Sequence, residues 1–208
     1  MTEPTPIIHV VDDDHSVRKA VSRLLTAAGY ETKGYADAGE FLLALPITNP
    51  GCIVLDVRMP GPSGLELHSA LKRQSNHLPI IFLTGHGDIP MSVQAMKAGA
   101  VDFLTKPVQR QTLLAAVANA LEMQRQNLDK HRRIEHLRHC YQSLTERERE
   151  IFRLVIQGKL NKQIGALLGI AERTVKAHRS QVMEKMEVPS LADLVRVAGD
   201  LEIDTDDA

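Results

Sequence analysis

No stretch of this chain approaches the length of a membrane span, and no basic segment leading into an apolar one follows Met1. A membrane partner is therefore not expected, and residence in the cytoplasm is. Cysteine is scarce: Cys52 and Cys140 stand far apart in no metal-like spacing, which excludes a disulfide framework and fits a reducing compartment. Tryptophan is absent, and neither internal repeats nor low-complexity segments occur. Charge of one sign is lacking as well. The formal net charge is -1, so the molecule as a whole does not advertise a polyanionic partner.

The charge that is present is unevenly shared. Residues 1–130 carry 12 Lys and Arg against 13 Asp and Glu, whereas residues 131–200 carry 13 against 9. A basic module behind a near-neutral one points to a nucleic-acid-binding half. One large or two modest domains fit the 208 residues, and either choice can bury a core.

The first half alternates short β-branched runs with helical spacing. Residues 7–11 (IIHVV) read as a buried strand, and residues 15–28 as a helix with Val17, Val21, Leu24 and Leu25 on one face and Gly29 as its stop. Strands are predicted at 31–35, 52–55, 80–83 and 101–104, and helices at 37–45, 64–74, 90–98 and from about 109. Such alternation gives a doubly wound α/β fold with a five-stranded parallel sheet covered on both faces. From Leu113 to about Leu144 a rough heptad pattern slips between Lys130 and Arg133, which reads as one long linker helix, either a short coiled coil or a solvated spacer. An all-α module of four helices follows. Thr145-Glu146-Arg147-Glu148 has capping-box form, residues 161–168 and 172–187 are helical around a turn at Gly169, and a final helix from Ser190 carries Leu191, Leu194 and Val195 on one face. The acidic tail, Asp204 to Ala208, is expected to be disordered.

Polar residues fall at one edge of the predicted sheet. Asp12 and Asp13 follow the first strand, Asp56 ends the third, Thr84 ends the fourth and Lys106 follows the fifth. The carboxyl ends of parallel strands share a crevice where ligands bind. Alone, each residue is ordinary: an Asp at a strand end caps or turns the chain, as Asp14 is expected to do for the first helix, and a Thr or Lys there is solvated. Their agreement is what points to chemistry. Clustered carboxylates suit Mg²⁺, a lysine and a hydroxyl suit phosphoryl oxygens, and a carboxylate can itself be the phosphorylated nucleophile.

The segments VVDDD, LDVRMPGPSG, the hydroxyl in FLTGHGD, and Lys106-Pro107 resemble the receiver domains of two-component response regulators. GHGDIPMSVQAMKAGAVDFLTKP is similar to the FixJ subgroup, over residues 7 to about 125. The resemblance implies a flavodoxin-like receiver in which Asp56 accepts a phosphoryl group from a sensor histidine kinase. It implies Mg²⁺ held by Asp12, Asp13, Asp56 and the main-chain carbonyl of Arg58, and phosphoryl oxygens held by Thr84 and Lys106. Phe103 is then the aromatic that turns inward on activation, and Lys106-Pro107 a cis peptide. Val108 departs from the bulky aromatic of many relatives, so packing under that loop is expected to differ. His136, His139 and Cys140, at i, i+3 and i+4, have ligand spacing but read as solvated side chains of a polar linker helix. Glu148 and Glu150 likewise read as an ordinary solvated face.

Residues 161–180 fit a helix-turn-helix by packing logic. Ile164, Leu168, Ile170 and Val175 are spaced as a buried seam, Gly165 permits close approach, and Gly169 the turn. The second helix then offers Arg173, Thr174, Lys176, Ala177, Arg179 and Ser180 to a major groove, with Lys162 as a phosphate contact. LTERERE followed by NKQIGALLGIAERTVKAHRSQVMEKM resembles the LuxR/GerE-type DNA-binding domain over residues 143–200. By that resemblance Lys176, Ala177 and Ser180 face bases, and the final helix makes a dimer contact on DNA. Ala171 replaces the usual Ser or Thr cap, an expected loss of about 1 kcal/mol at most.

The expected organisation is a receiver at 1–125, a linker helix at 126–142 and the DNA-binding domain at 143–208. The expected function is a transcriptional regulator, not an enzyme, that dimerises on phosphorylation and binds double-stranded promoter DNA, with RNA polymerase as a further partner. Two other readings stay open. One is a Mg²⁺-dependent phosphohydrolase of haloacid-dehalogenase type, which would place an acid where Arg58 stands. The other is an architectural DNA-binding protein with an inert receiver.

Overall fold

In a computed structural model, residues 4–47, 49–74, 78–85, 93 and 95–203 are described. Of the predicted helix 90–98, residues 93 and 95–97 are helical and residues 90–92 and 94 lie outside the described residues, as does the tail from Asp204. The chain divides into two compact units, Met1–Leu128 and Asp129–Ala208.

In the first unit five strands, β1 (Ile7–Val11), β2 (Glu31–Tyr35), β3 (Gly51–Asp56), β4 (Ile80–Thr84) and β5 (Asp102–Thr105), form one parallel sheet in the order β2-β1-β3-β4-β5. This is the doubly wound arrangement expected from the alternation. The three central strands are buried on both faces, which explains their unbroken apolar runs. Successive residues serve opposite cores. Cys52 and Val54 join Ile81, Leu83, Val21, Leu25, Leu113 and Val117 on one side. Ile53 and Leu55 join Phe82, Phe41, Leu67 and Leu71 on the other. Three helices of this unit are α1 (His15–Ala27), α2 (Ala38–Leu43) and α3 (Gly64–Arg73), each opened by its own side-chain cap from Asp14, Asp37 and Ser63.

A single helix, α4 (Arg110–Gln142), leaves this unit and enters the second. Its first turns bury Leu113, Ala116, Val117 and Ala120 against the sheet, residues 125–133 are exposed, and Leu137 and Cys140 are buried again. Leu137, Cys140 and Leu144 belong to the core of the C-terminal unit, with Phe152, Ile164, Val175 and Leu194. The reading of Cys140 as a solvated linker residue is therefore corrected: the apolar spacing that resumes after Arg133 serves this core.

The remaining helices are α5 (Glu146–Ile156), α6 (Asn161–Leu168), α7 (Glu172–Lys185) and α8 (Leu191–Asp200). Glu148 is not a solvated acid. The capping box turns its carboxylate back to accept from the Thr145 backbone at 2.8 Å, and Lys185 of α7 donates to both its oxygens at 2.9 and 2.6 Å. Its side chain is 4% exposed. In α8 the buried stripe is Leu194, Val197 and Ala198, at i, i+3 and i+4, whereas Leu191 and Val195 lie on its flank, 42% and 46% exposed.

Candidate functional site

The order of the sheet reverses between β1 and β3, so a crevice opens at the carboxyl ends of those two strands. Val11 is level with Leu55, which sets Asp12 beside Asp56 at the next position. On the far side of β3, β4 and β5 are aligned with Thr84 opposite Thr105, which brings Lys106 to the same edge. Lys106 Nζ lies 2.7 Å from Asp12 Oδ2 and 2.8 Å from Asp56 Oδ2. One carboxylate oxygen from each of Asp12, Asp13 and Asp56 lies within 4.8 Å of the other two.

Local structure holds each group in place. Asp12 Oδ1 accepts from the Asp14 backbone at 3.0 Å, and Asp14 in turn caps α1 by accepting from Ser16 and Val17. Arg18 donates to the main-chain carbonyls of Asp12 and Asp13, clamping the acidic loop from the second turn of α1. Its stem packs over Gly34 of β2, where an added Cβ would lie 3.4 Å from it. Sequence reasoning did not single out Arg18. The available signal was a glycine within an edge strand, which marks close approach by another group. Gly64, at the start of α3, is required sterically: an added Cβ would lie 2.2 Å from the Asp56 carbonyl oxygen. Arg58 donates its backbone N–H to Asp56 Oδ1 at 3.3 Å, with its side chain exposed.

Electrostatics follow from this crowding. Burial pushes the Asp12 carboxyl up, and the ammonium of Lys106 only partly offsets it. Burial also opposes the charge on Lys106, but the two carboxylates outweigh it and hold the ammonium above its ordinary value. Three carboxylates against one ammonium leave two formal negative charges in the crevice. Asp12 Oδ2 is also buried without a hydrogen bond of good geometry, despite its short distance to Lys106. An all-oxygen donor set with uncompensated charge fits a hard divalent cation.

Thr84 is buried at the same edge, and its carbonyl accepts from the Lys106 backbone at 2.6 Å. Phe103 is half-buried, its ring 6.4 Å from that of Phe82. The Lys106-Pro107 bond is cis, and Val108 packs half-buried against the core beneath.

The C-terminal unit presents a second surface. Ile164 and Val175 are fully buried between α6 and α7, with Leu168 and Ile170 partly so. Gly165 lets the helices meet, since a Cβ there would lie 2.8 Å from the Ile170 carbonyl oxygen. Gly169 takes the left-handed turn at φ 65°. Ala171 opens α7 without a side-chain cap. Arg173, Lys176, Ala177 and Ser180, at i, i+3, i+4 and i+7, form one exposed stripe, and Lys162 is exposed on α6. Thr174 and Arg179 are half-buried rather than fully presented. Arg179 donates to Asn161 at 2.7 Å, so it ties α7 to the start of α6.

Comparison with known proteins agrees with both surfaces. Residues 8–118 match the response regulator receiver domain, and residues 142–198 match the bacterial regulatory proteins of the luxR family. The chain is 46% identical to nodulation protein W of Bradyrhizobium diazoefficiens, over 95% of this chain and 87% of that one. It is 41% identical to the transcriptional regulatory protein FixJ of the same species, over 92% and 93%. Among solved structures it is similar to the response regulator StyR, with a TM-score of 0.80 and 46% identity over 94% of this chain and 98% of that one. An acidic crevice on a doubly wound sheet, joined to a helix-turn-helix in one chain with these relatives, places the protein in the two-component response regulators, in the FixJ-like group that couples a receiver to a LuxR-type DNA-binding domain.

Proposed function

We propose that Asp56 is the phosphorylation site and that a sensor histidine kinase is the donor. The observation that carries this reading is the ammonium of Lys106 seated between Asp12 and Asp56, residues drawn together from three strands. Asp12, Asp13, Asp56 and the main-chain carbonyl of Arg58 are assigned to Mg²⁺, which when bound neutralises charge on the transferring phosphoryl group. Asp56 supplies the attacking carboxylate oxygen, and as its bond to phosphorus forms the bond from phosphorus to the kinase's histidine nitrogen breaks, leaving that histidine as the released group. Lys106 and the Thr84 hydroxyl take the phosphoryl oxygens, and Phe103 follows Thr84 inward. Lys106, now drawn to the phosphoryl group, loosens from Asp12. Phosphorylation of residues 1–125 then favours a homodimer, which binds promoter DNA through residues 143–208, with 126–142 as the connection. Arg173, Lys176, Ala177 and Ser180 meet the major groove, Thr174 and Arg179 flank it, and Lys162 meets a phosphate. RNA polymerase is the next partner, and the cytoplasm the place of action.

The chain is assigned regulation rather than turnover. Among the described residues no helix is long and apolar enough to cross a membrane. Incubation with acetyl phosphate tests the assignment. Wild-type protein is expected to be labelled only with Mg²⁺ present, and Asp56→Asn to remain unlabelled; labelling of that variant at the wild-type level would refute it.

A further inference from the structure

His136 and Cys140, four residues apart in the last turns of α4, share one side of that helix. Cys140 is buried and His136 exposed. The chain returns to the same spot just past α7, where Glu187 follows the capping residue Met186. His136 Nε2 lies 3.0 Å from Glu187 Oε2 and 3.7 Å from Cys140 Sγ. One ligand atom from each of the three lies within 4.8 Å of the other two. Ligands around tetrahedral zinc stand about 3.4 Å apart for nitrogen and oxygen, and about 3.6 Å for nitrogen and sulfur, given the usual bond lengths. The spacing already seen is close to both.

Glu187 also occupies an unusual backbone position. Its φ is 54°, and Val188 N–H closes the helix end onto Met183 O at 3.1 Å. Glycine or asparagine normally fills such a left-handed stop, as Gly158 and Gly169 do; Glu202, past α8, shares the same φ, so it is the position of the Glu187 carboxylate beside His136 that sets this residue apart. A glutamate here bears a steric cost and directs a carboxylate at His136. His139 is exposed and stands outside the cluster.

We infer that His136 Nε2, Cys140 Sγ and the Glu187 carboxylate form a zinc site. Imidazole, thiolate and carboxylate together suit Zn²⁺, whereas Mg²⁺ takes oxygen ligands, so this site and the aspartate crevice select different ions. Three protein ligands leave a fourth position to water. On binding, the S–H bond of Cys140 breaks, its proton passes to solvent and the sulfur–zinc bond forms, with no change of oxidation state. The ion clasps the end of α4 to the end of α7, the helix carrying the exposed basic stripe.

The test is a titration of the metal-free full-length protein with Co²⁺ in excess Mg²⁺, followed by Zn²⁺ displacement. Wild-type protein is expected to bind one Co²⁺ with a thiolate-to-cobalt charge-transfer band that Zn²⁺ abolishes. Cys140→Ser removes the band. His136→Ala is at an exposed position, and Glu187→Gly relieves the left-handed backbone, so both keep the fold. Each should weaken binding by roughly tenfold or more. His139→Ala should bind as wild type. Absence of the band, its survival in Cys140→Ser, or unchanged affinity in both His136→Ala and Glu187→Gly overturns the inference.

Discussion

Glu148 shows how much one side chain can carry. It closes the start of α5 and receives Lys185 from α7, so it joins two helices of the C-terminal unit. Burial works to raise its pKa, but hydrogen bonds from Lys185 and Thr145 prevail and hold it below the ordinary glutamate value of 4.5. Folding therefore favours the charged form. The contribution is complete above that ordinary value and is lost as pH falls through the lower folded one. Glu148→Gln is expected to cost this unit about 1–3 kcal/mol near neutral pH, less than a fully buried pair because Lys185 is partly exposed. Unfolding by urea at pH 7 and pH 3 checks it: the difference between variant and wild type should shrink at the lower pH. The capping box was legible in the sequence because it is local. Its burial was not, because that depends on Lys185, 37 residues away. The acids, threonine and lysine of the crevice were legible despite larger separations, since strand ends in a parallel sheet converge by rule. Arg18 left only the hint of Gly34 within an edge strand and Glu187 left none, so the folded chain is needed to show what they reach.

At the scale of elements, the alternation of strands and helices in the first half was readable from periodicity, and β3 and β4 were misjudged by only a residue or so at their ends. The face of α8 was harder. Apolar residues nearly surround that helix, and its neighbours rather than its pattern decide that Val197 is buried and Val195 is not. The exposed Leu191 and Val195 remain available for the proposed dimer contact. In α7 the stripe of Arg173, Lys176, Ala177 and Ser180 divides the expected DNA contacts by kind. Lys176→Ala should lose about 1–3 kcal/mol of discrimination at one base position if it donates to a guanine edge. Lys162→Ala should instead weaken all sequences alike and flatten the salt dependence, as a phosphate contact does. Binding titrations against a randomised site at two salt concentrations separate them, and an unchanged sequence preference in Lys176→Ala would mean that the helix enters the groove by another face. Arg179→Ala is a poorer probe, because loss of its bond to Asn161 also loosens α6 from α7.

For the whole molecule, phosphorylation is expected to convert monomer to dimer through the receiver. A bias of only a few kcal/mol between inactive and active states is enough to exchange their populations. Sedimentation of free and acetyl-phosphate-treated protein decides this, and equal masses across the micromolar range would exclude it. Among the described residues, the two buried clusters of the first unit share no residue with that of the second, which is why the basic half could be recognised in the sequence by charge and pattern apart from the receiver. The point of division was less visible, because one uninterrupted helix passes through it. That helix has a consequence for how such genes can recombine. A chimaera that borrows this DNA-binding half from residue 143 onward would inherit α5–α8 but leave Leu137 and Cys140 behind, so a donor helix without apolar residues at those positions would leave a gap in the core that holds Phe152 and Leu194. A lost buried leucine alone typically costs about 2–5 kcal/mol. A crossover near residue 129 would carry those side chains along, so exchange of sensory halves should succeed within the exposed middle of the helix and fail at its end.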